Sequence, residues 1–392
     1  MKVLKRIGKT LVITAIILII LFIVFLLILE FYPPIGNLPD KEKRKEYAEK
    51  TDLYYDNKFH NENDFSILTG SRSKESERTE PESRIPVRKI ERIDRAGADE
   101  MKVTWLGHSS ALVQMGEKNI LLDPVLNEYC APVSFAGHNR FSDIALAPED
   151  VPDIDVLFIS HDHYDHLDYN TIKAIDRKVS HYVVPLGIDV ILNGWGVDES
   201  KLHPLGWWES IDLDGVNYTV VPSQHSSFRS PLHIFETLWG GIYVKNDLHS
   251  LYYTGDCGYY DVFSRIYERF GETDLMLSDS AQYNDAWAQT HMTPEQAVQA
   301  SKDAHAKWLT PIHWGAFKLS THPWDEPPKR AGAAAEEHGV SLATPRIGQT
   351  MHWYFRRMEF ADRRYCRADG AGADLGSLLC DIQRIARCLS YQ

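Results

Sequence analysis

The chain has no excess of cations. Lys and Arg total 42 against 55 Asp and Glu, a formal net charge of −13 over 392 residues. That balance argues against a nucleic-acid partner, because phosphate backbones are met by basic patches. Cysteine is scarce as well. The five, Cys130, Cys257, Cys366, Cys380 and Cys388, have no metal-finger spacing, and an odd number gives no disulfide framework. No nucleophile-elbow motif is present, so covalent chemistry on an exposed serine is not expected. Internal repeats and long low-complexity tracts are absent too.

Charge and proline are missing altogether from Leu11 to Leu29, 19 residues preceded by Lys2, Lys5, Arg6 and Lys9. At about 1.5 Å per residue a helix of this length spans roughly the ~30 Å hydrocarbon core. The competing reading is a cleaved signal peptide. Its apolar region is normally shorter, about 7–15 residues, and Glu30-Phe-Tyr-Pro-Pro34 is a poor cleavage site. The expectation is a basic N-terminus over residues 1–10 and a single-pass membrane anchor over 11–29. The basic end favours the cytoplasm and puts the rest outside it; Lys41, Lys43, Arg44, Lys45 and Lys50 on the far side work against that bias.

Residues 30–99 are polar and poor in apolar periodicity, which reads as a solvated linker or an extended arm wrapping a domain, with Lys58-Phe-His-Asn61 as an ordered patch. From residue 100 to 354 the texture is that of a layered α/β domain. Strands are expected at Lys102–Leu106, Ala111–Met115, Asn119–Leu122, Asp153–Ser160, His181–Pro185, Val216–Val221, Gly241–Val244, Leu251–Thr254 and Trp308–Ile312. Helices are expected at Tyr169–Asp176 and from Pro294 to about Ala304, the latter capped by Thr293. Residues 355–392 are Arg-rich without Lys and carry three of the cysteines; Leu375–Leu389 reads as an amphipathic helix of no assigned role.

The chemistry concentrates in Ser160-His-Asp-His-Tyr-Asp-His166, directly after an apolar strand. Three His and two Asp in six residues are far more ligand groups than a polar loop needs. Two neutral imidazoles suit a borderline metal such as zinc, and a carboxylate with a third imidazole suits a second ion alongside. Three further candidates each follow an apolar run: His225 in Pro222-Ser-Gln-His225, Asp256 in Thr254-Gly-Asp256, and His313 in Pro311-Ile-His313. Strands of one sheet would present such residues along a common edge.

This pattern resembles the metallo-β-lactamase superfamily, whose signature is His-x-His-x-Asp-His. The resemblance implies a four-layer αββα sandwich holding two divalent ions, zinc first, with manganese or iron as alternatives. His161, His163 and His225 would hold one ion, Asp165, His166 and His313 the other, and Asp256 would bridge them. Hydroxide held between two such ions would be the nucleophile.

Within the superfamily the chain is most similar to the N-acyl phosphatidylethanolamine-hydrolysing phospholipase D family. The residues that carry this are Val103-Thr-Trp-Leu-Gly-His-Ser-Ser110, Leu122-Asp-Pro124, Val184-Pro-Leu-Gly187, Trp207-Trp-Glu209 and His313-Trp-Gly315. The resemblance implies a phosphodiesterase acting on a lipid or lipid-like small molecule. It adds His291 as a candidate near the substrate phosphate and His108 as a further candidate, either lining the site or steadying the turn after the first strand. The chain departs from the family at Ser280-Ala-Gln-Tyr-Asn-Asp285 and at Ser226-Ser-Phe-Arg229. A lactonase similar to the ascorbate-6-phosphate lactonases is the alternative enzyme. A non-catalytic membrane-associated binding protein is the alternative of another class, disfavoured by seven intact ligand positions.

Overall fold

The computed structural model describes residues 2–135, 137–354 and 357–360. Helix α1, Lys2–Phe31, is exposed from Arg6 to Ile28 and buries Leu29 near its end, and the stretch Arg6–Leu29 is long and apolar enough to cross a membrane. A continuous helix satisfies its own backbone groups, which is what an apolar run on every face requires.

The first β-sheet contains β1 (Met101–Gly107), β2 (Ser110–Met115), β3 (Lys118–Leu122), β4 (Ile154–Phe158), β5 (Val179–Pro185) and β6 (Leu202–Leu205). The second contains β7 (Ser210–Leu213), β8 (Val216–Val221), β9 (Gly241–Lys245), β10 (Ser250–Tyr253), β11 (Leu275–Asp279) and β12 (Leu309–Ile312). β13 (Thr350–Tyr354) returns to the first sheet against β1 and pairs with β14 (Arg357–Phe360). The first sheet runs β6-β5-β4-β3-β2-β1-β13-β14 and the second β7-β8-β9-β10-β11-β12. In the second, β7 to β10 form an antiparallel meander, and β10, β11 and β12 are parallel.

Side chains alternate between two cores with the period of two that a strand imposes. On β9 and β10, Ile242, Val244, Leu251 and Tyr253 face the first sheet, and Tyr243 and Tyr252 face the helices outside. That outer layer is α5 (Val262–Phe270), α6 (Pro294–Asp303) and α7 (Glu326–His338), seated through Phe263, Ile266, Val298 and Ala331. α3 (Tyr169–Ile175) and α4 (Ile188–Gly194) contribute Ile172, Ile175, Ile188 and Ile191 to the larger core. The result is helix, sheet, sheet, helix. The expected capping of α6 is present in full: Thr293 accepts from the Gln296 backbone, and the Gln296 side chain accepts from the Thr293 backbone.

Residues 32–99 lie against this sandwich. α2 (Lys41–Lys50) and the short hairpin Tyr54–Tyr55/Lys58–Phe59 bury Tyr47, Tyr54 and Phe59 against Leu186, Leu238 and Trp239. The amphipathic helix expected over Leu375–Leu389 lies outside the described residues.

Candidate metal centre

β8, β10, β11 and β12 finish at one end of the second sheet, and β3 and β4 of the first finish beside them. The edge that gathers the ligands is therefore shared by both sheets, not built by one as the spacing suggested. β4 delivers His161, His163, Asp165 and His166; β8 delivers His225, β10 Asp256 and β12 His313. All seven converge. The ligand atoms of His161, His163, His225 and Asp256 lie within 4.8 Å of one another, and so do those of His108, Asp165, His166 and His313. Asp256 stands between the groups. Its Oδ2 is 3.7 Å from both His161 Nε2 and His225 Nε2, 3.2 Å from His166 Nε2 and 3.3 Å from His313 Nε2.

Several contacts make this a cation site rather than a hydrogen-bonded cluster. Asp256 Oδ1 and His161 Nε2 are buried without a hydrogen-bond partner among the described residues. His225 Nε2 and His163 Nδ1 face each other at 3.3 Å. Buried lone pairs left in this way are costly unless something positive fills the gap. The donor set, neutral imidazole nitrogen with carboxylate oxygen, fits a borderline divalent ion.

The ring orientations are fixed from behind. His166 Nδ1 donates to Asp123 Oδ2 at 2.6 Å, His225 Nδ1 donates to the Thr290 carbonyl at 3.1 Å, and Ser160 Oγ lies 2.9 Å from His161 Nδ1. Each leaves Nε2 for the site. Asp123, fully buried, also accepts from the Ser160 backbone N–H at 2.7 Å, from Ser160 Oγ and from the Tyr253 hydroxyl. One carboxylate thus orients a histidine of each group, the outer-shell arrangement that fixes an imidazole's tautomer. Gly255, at φ +58, lets Asp256 come this close. A Cβ there would stand 2.8 Å from Ser160 Cβ.

Electrostatics separates the two groups. Burial and the neighbouring rings of His166, His163 and His225 hold His161 well below the usual imidazole range. Burial also keeps His225 well below it and pushes His163 down to about 4. Burial acts the same way on His166 and His313, but several carboxylates together outweigh it, Asp256 with Asp165 and Asp123 at His166 and Asp256 with Asp279 and Asp165 at His313, raising His166 well above its ordinary value and His313 to about 10. Asp165 and Asp256 are held well below the usual carboxylate range: burial opposes this, and the histidines around each overcome it together, His166 with His108 and His313 at Asp165 and His166 with His313 and His291 at Asp256. The first group is deprotonated as it stands; the second carries protons that an incoming cation must displace.

His108 does not line open space. It is fully buried at φ +53, donates from Nε2 to Asp165 Oδ2 at 2.8 Å and packs on Phe317. It orients Asp165, so of the two roles expected for it the structure places it behind the ligands and not along the lining of the site. His291 is different. Its Nδ1 meets Asp279 Oδ2 at 2.9 Å and lies 3.9 Å from Asp256 Oδ2, and its ring lines a cavity of about 420 Å³ with Ser73, Tyr283, Thr293 and Arg330. Cys257 is buried beside Asp256 and accepts from the Gln224 N–H, outside the ligand set.

Sequence reasoning gave no role at the site to Asp123 or Asn61, although both lie in stretches it singled out, and passed over Asp279. Asp123 and Asp279 stand at the ends of β3 and β11, so the placement that singled out the ligands marks them as well. Asn61 donates from Nδ2 to the His225 carbonyl at 2.8 Å and accepts the His225 N–H at 3.2 Å. No local pattern announces it.

The family model for the beta-lactamase superfamily domain matches residues 118–314, half of the chain. The chain belongs to the metallo-β-lactamase superfamily. An uncharacterized protein of Mycobacterium tuberculosis is 38% identical over 66% of this chain and 70% of its own length. The N-acyl-phosphatidylethanolamine-hydrolyzing phospholipase D 1 of Caenorhabditis elegans is 32% identical over 68% of this chain and 80% of the relative. A metal-dependent hydrolase of Methanopyrus kandleri is 26% identical over 62% and 94%. Among solved structures, a metallo hydrolase from Ignicoccus hospitalis superposes at a TM-score of 0.53 with 20% identity, covering 66% of this chain and all of that one, and so shares the fold. This superfamily member is a metal-dependent hydrolase.

Proposed function

We propose that the chain is a membrane-anchored phosphodiesterase of the phospholipase D type, acting on N-acyl phosphatidylethanolamine or a lipid like it with two zinc ions. The observation that carries this reading is the convergence of six ligand side chains around a seventh, Asp256, in a chain 32% identical to a phospholipase of that specificity. His161, His163 and His225 would hold one ion, Asp165, His166 and His313 the other, with Asp256 shared. When bound, such a pair acidifies water and stabilises charge on phosphoryl oxygens.

The chain's own residues supply the rest. His291, tethered through Nδ1 to Asp279, turns its other nitrogen away from that carboxylate and is placed to donate to a phosphoryl or leaving-group oxygen. His108 fixes the angle of Asp165, and Asp123 those of His161 and His166. The polar lining beside His291, with Tyr283, Thr293, Gln296 and Arg330, suits the headgroup side of a phosphodiester. Helix α1 would hold the enzyme at the bilayer where such a lipid resides.

The test is product analysis with the full chain in vesicles containing N-acyl phosphatidylethanolamine. Phosphatidic acid and N-acylethanolamine should form with zinc, and neither should form after chelation or with His163→Ala. Free fatty acid instead, or hydrolysis confined to lactones, would overturn the reading.

A further inference from the structure

The end of α1 is clamped to the metal loop. Between Leu29, the last residue of the apolar stretch, and Pro33, whose carbonyl accepts from Trp195 Nε1 at 2.6 Å, there are at most about 14 Å of extended chain. Pro34, Ile35 and Gly36 are then gripped in turn. Arg229, a buried guanidinium, donates to the carbonyls of Pro34 at 2.5 Å and Ile35 at 2.8 Å, and on its other side to those of Asp162 at 2.5 Å and Leu167 at 3.0 Å. His233 Nε2 donates to the Gly36 carbonyl, and the Tyr32 hydroxyl donates to that of Pro132. No slack separates the helix from the domain surface around its base.

That surface carries an unusual set of side chains. The loops that touch residues 32–36 hold Phe135, 89% exposed, Phe228, 46%, and Leu232, 39%. Phe31, at the end of α1, is 71% exposed. None is buried against the domain, although the segments of two of them are pinned there: Phe228 N–H donates to Asp162 Oδ1 at 2.8 Å, and Leu232 N–H donates to Ser230 Oγ at 3.1 Å. Aromatic and aliphatic side chains in this position match the belt that sits at the level of lipid headgroups.

We propose that Phe31, Phe135, Phe228 and Leu232 form a collar around the base of α1 that enters the interfacial layer of a lipid bilayer. The proposal rests on the reading of α1 as a membrane span, because only that places a bilayer against this face. Its consequence is a fixed orientation. The partly buried His163 and Tyr164, in the loop that Arg229 holds, are kept beside the membrane surface, where a lipid headgroup can reach the metal centre without leaving the bilayer.

The full chain is reconstituted into phosphatidylcholine vesicles carrying a radiolabelled lipid, with a photoreactive benzoylphenylalanine at 135, 228 or 232, or at Leu248 or Tyr267 as controls. Leu248 and Tyr267 are comparably exposed, at 42% and 39%, and lie away from the α1 exit. Position 135 projects from its loop, so substitution there leaves the core untouched. Label should attach several-fold more at the collar positions than at the controls. Resistance to alkaline carbonate extraction, measured in parallel, reports the anchor itself. A carbonate-resistant protein with no preference for collar positions would overturn the collar alone; release into the soluble fraction would overturn the anchor and the collar together. Neither readout requires turnover, so an inactive but labelled protein would count against the phospholipase reading and not against this one.

Discussion

Replacing Asp123 by Asn keeps its shape and removes its charge, and the structure sets the size of the effect. Asp123 takes hydrogen bonds from His166 Nδ1, from both donors of Ser160 and from the Tyr253 hydroxyl, all in a buried setting. An amide can accept on one oxygen only and brings N–H groups that face existing donors. When His166 gives up one proton to an incoming cation, nothing then keeps the remaining one on Nδ1 and off Nε2, the nitrogen that faces Asp256. Loss of such an outer-shell partner typically lowers metal affinity about 10–100-fold, or about 1.4–2.8 kcal/mol. The effect should fall on both groups of ligands, since Ser160 links Asp123 to His161 as well as His166. Competition with a chromophoric zinc chelator measures the two affinities directly, and thermal melting of the metal-free protein separates lost affinity from lost stability. Unchanged affinities at both positions would refute the claim that this carboxylate orients the ligands.

Phe59→Ala removes a fully buried ring from the cluster of Tyr47, Tyr54, Leu238 and Trp239, and should cost about 3–5 kcal/mol in denaturant unfolding. Because Asn61 holds His225, zinc affinity should fall with it. Arg229→Met strips four backbone carbonyls of their donor and should cost about 3–5 kcal/mol, with new proteolytic cleavage near residues 33–36. The two ions should also differ in their response to pH. Folded His163 sits near 4, so the first group has no protons to shed above about pH 5, and its affinity should stay flat from there to neutrality. His313 sits near 10, so the second group must release protons at neutral pH, and its affinity should rise steadily as pH rises. Calorimetry in buffers of different ionisation enthalpy counts those protons; equal release at both sites would contradict the assignment. His291→Gln should lower kcat by about 10²–10⁴-fold with metal content unchanged.

The ligands were legible because each stands at the end of an apolar strand, and the strand pattern itself is a strong signal. Asp123 and Asp279 obey the same rule, but sequence does not say which polar strand ends face the metal and which face the back of a ligand ring. α2 was unreadable for another reason. Lys41-Glu-Lys-Arg-Lys-Glu-Tyr-Ala-Glu-Lys50 buries only Tyr47, too little for an apolar period to register. α7 packs through alanines and begins with two prolines, Pro327 and Pro328, so it too lacks the usual stripe. The grips of Asn61 on His225 and of Arg229 on Pro34 and Ile35 join positions more than 160 residues apart. Nothing local in either segment encodes the partner. Ser226-Ser-Phe-Arg229 stood out in the sequence only as a departure from a family pattern; in the fold its arginine joins the chain leaving α1 to the metal loop.

The most direct test follows zinc occupancy and phosphatidic acid release in one sample. Metal-free full-length chain in vesicles containing N-acyl phosphatidylethanolamine is titrated with zinc, bound metal is measured at each step, and Asp256→Asn is carried through in parallel. Release should begin near zero, rise with occupancy, saturate at about two ions per chain, and stay absent in the variant. Full release without metal, or a chain holding two ions that cleaves no phosphodiester, would contradict the account.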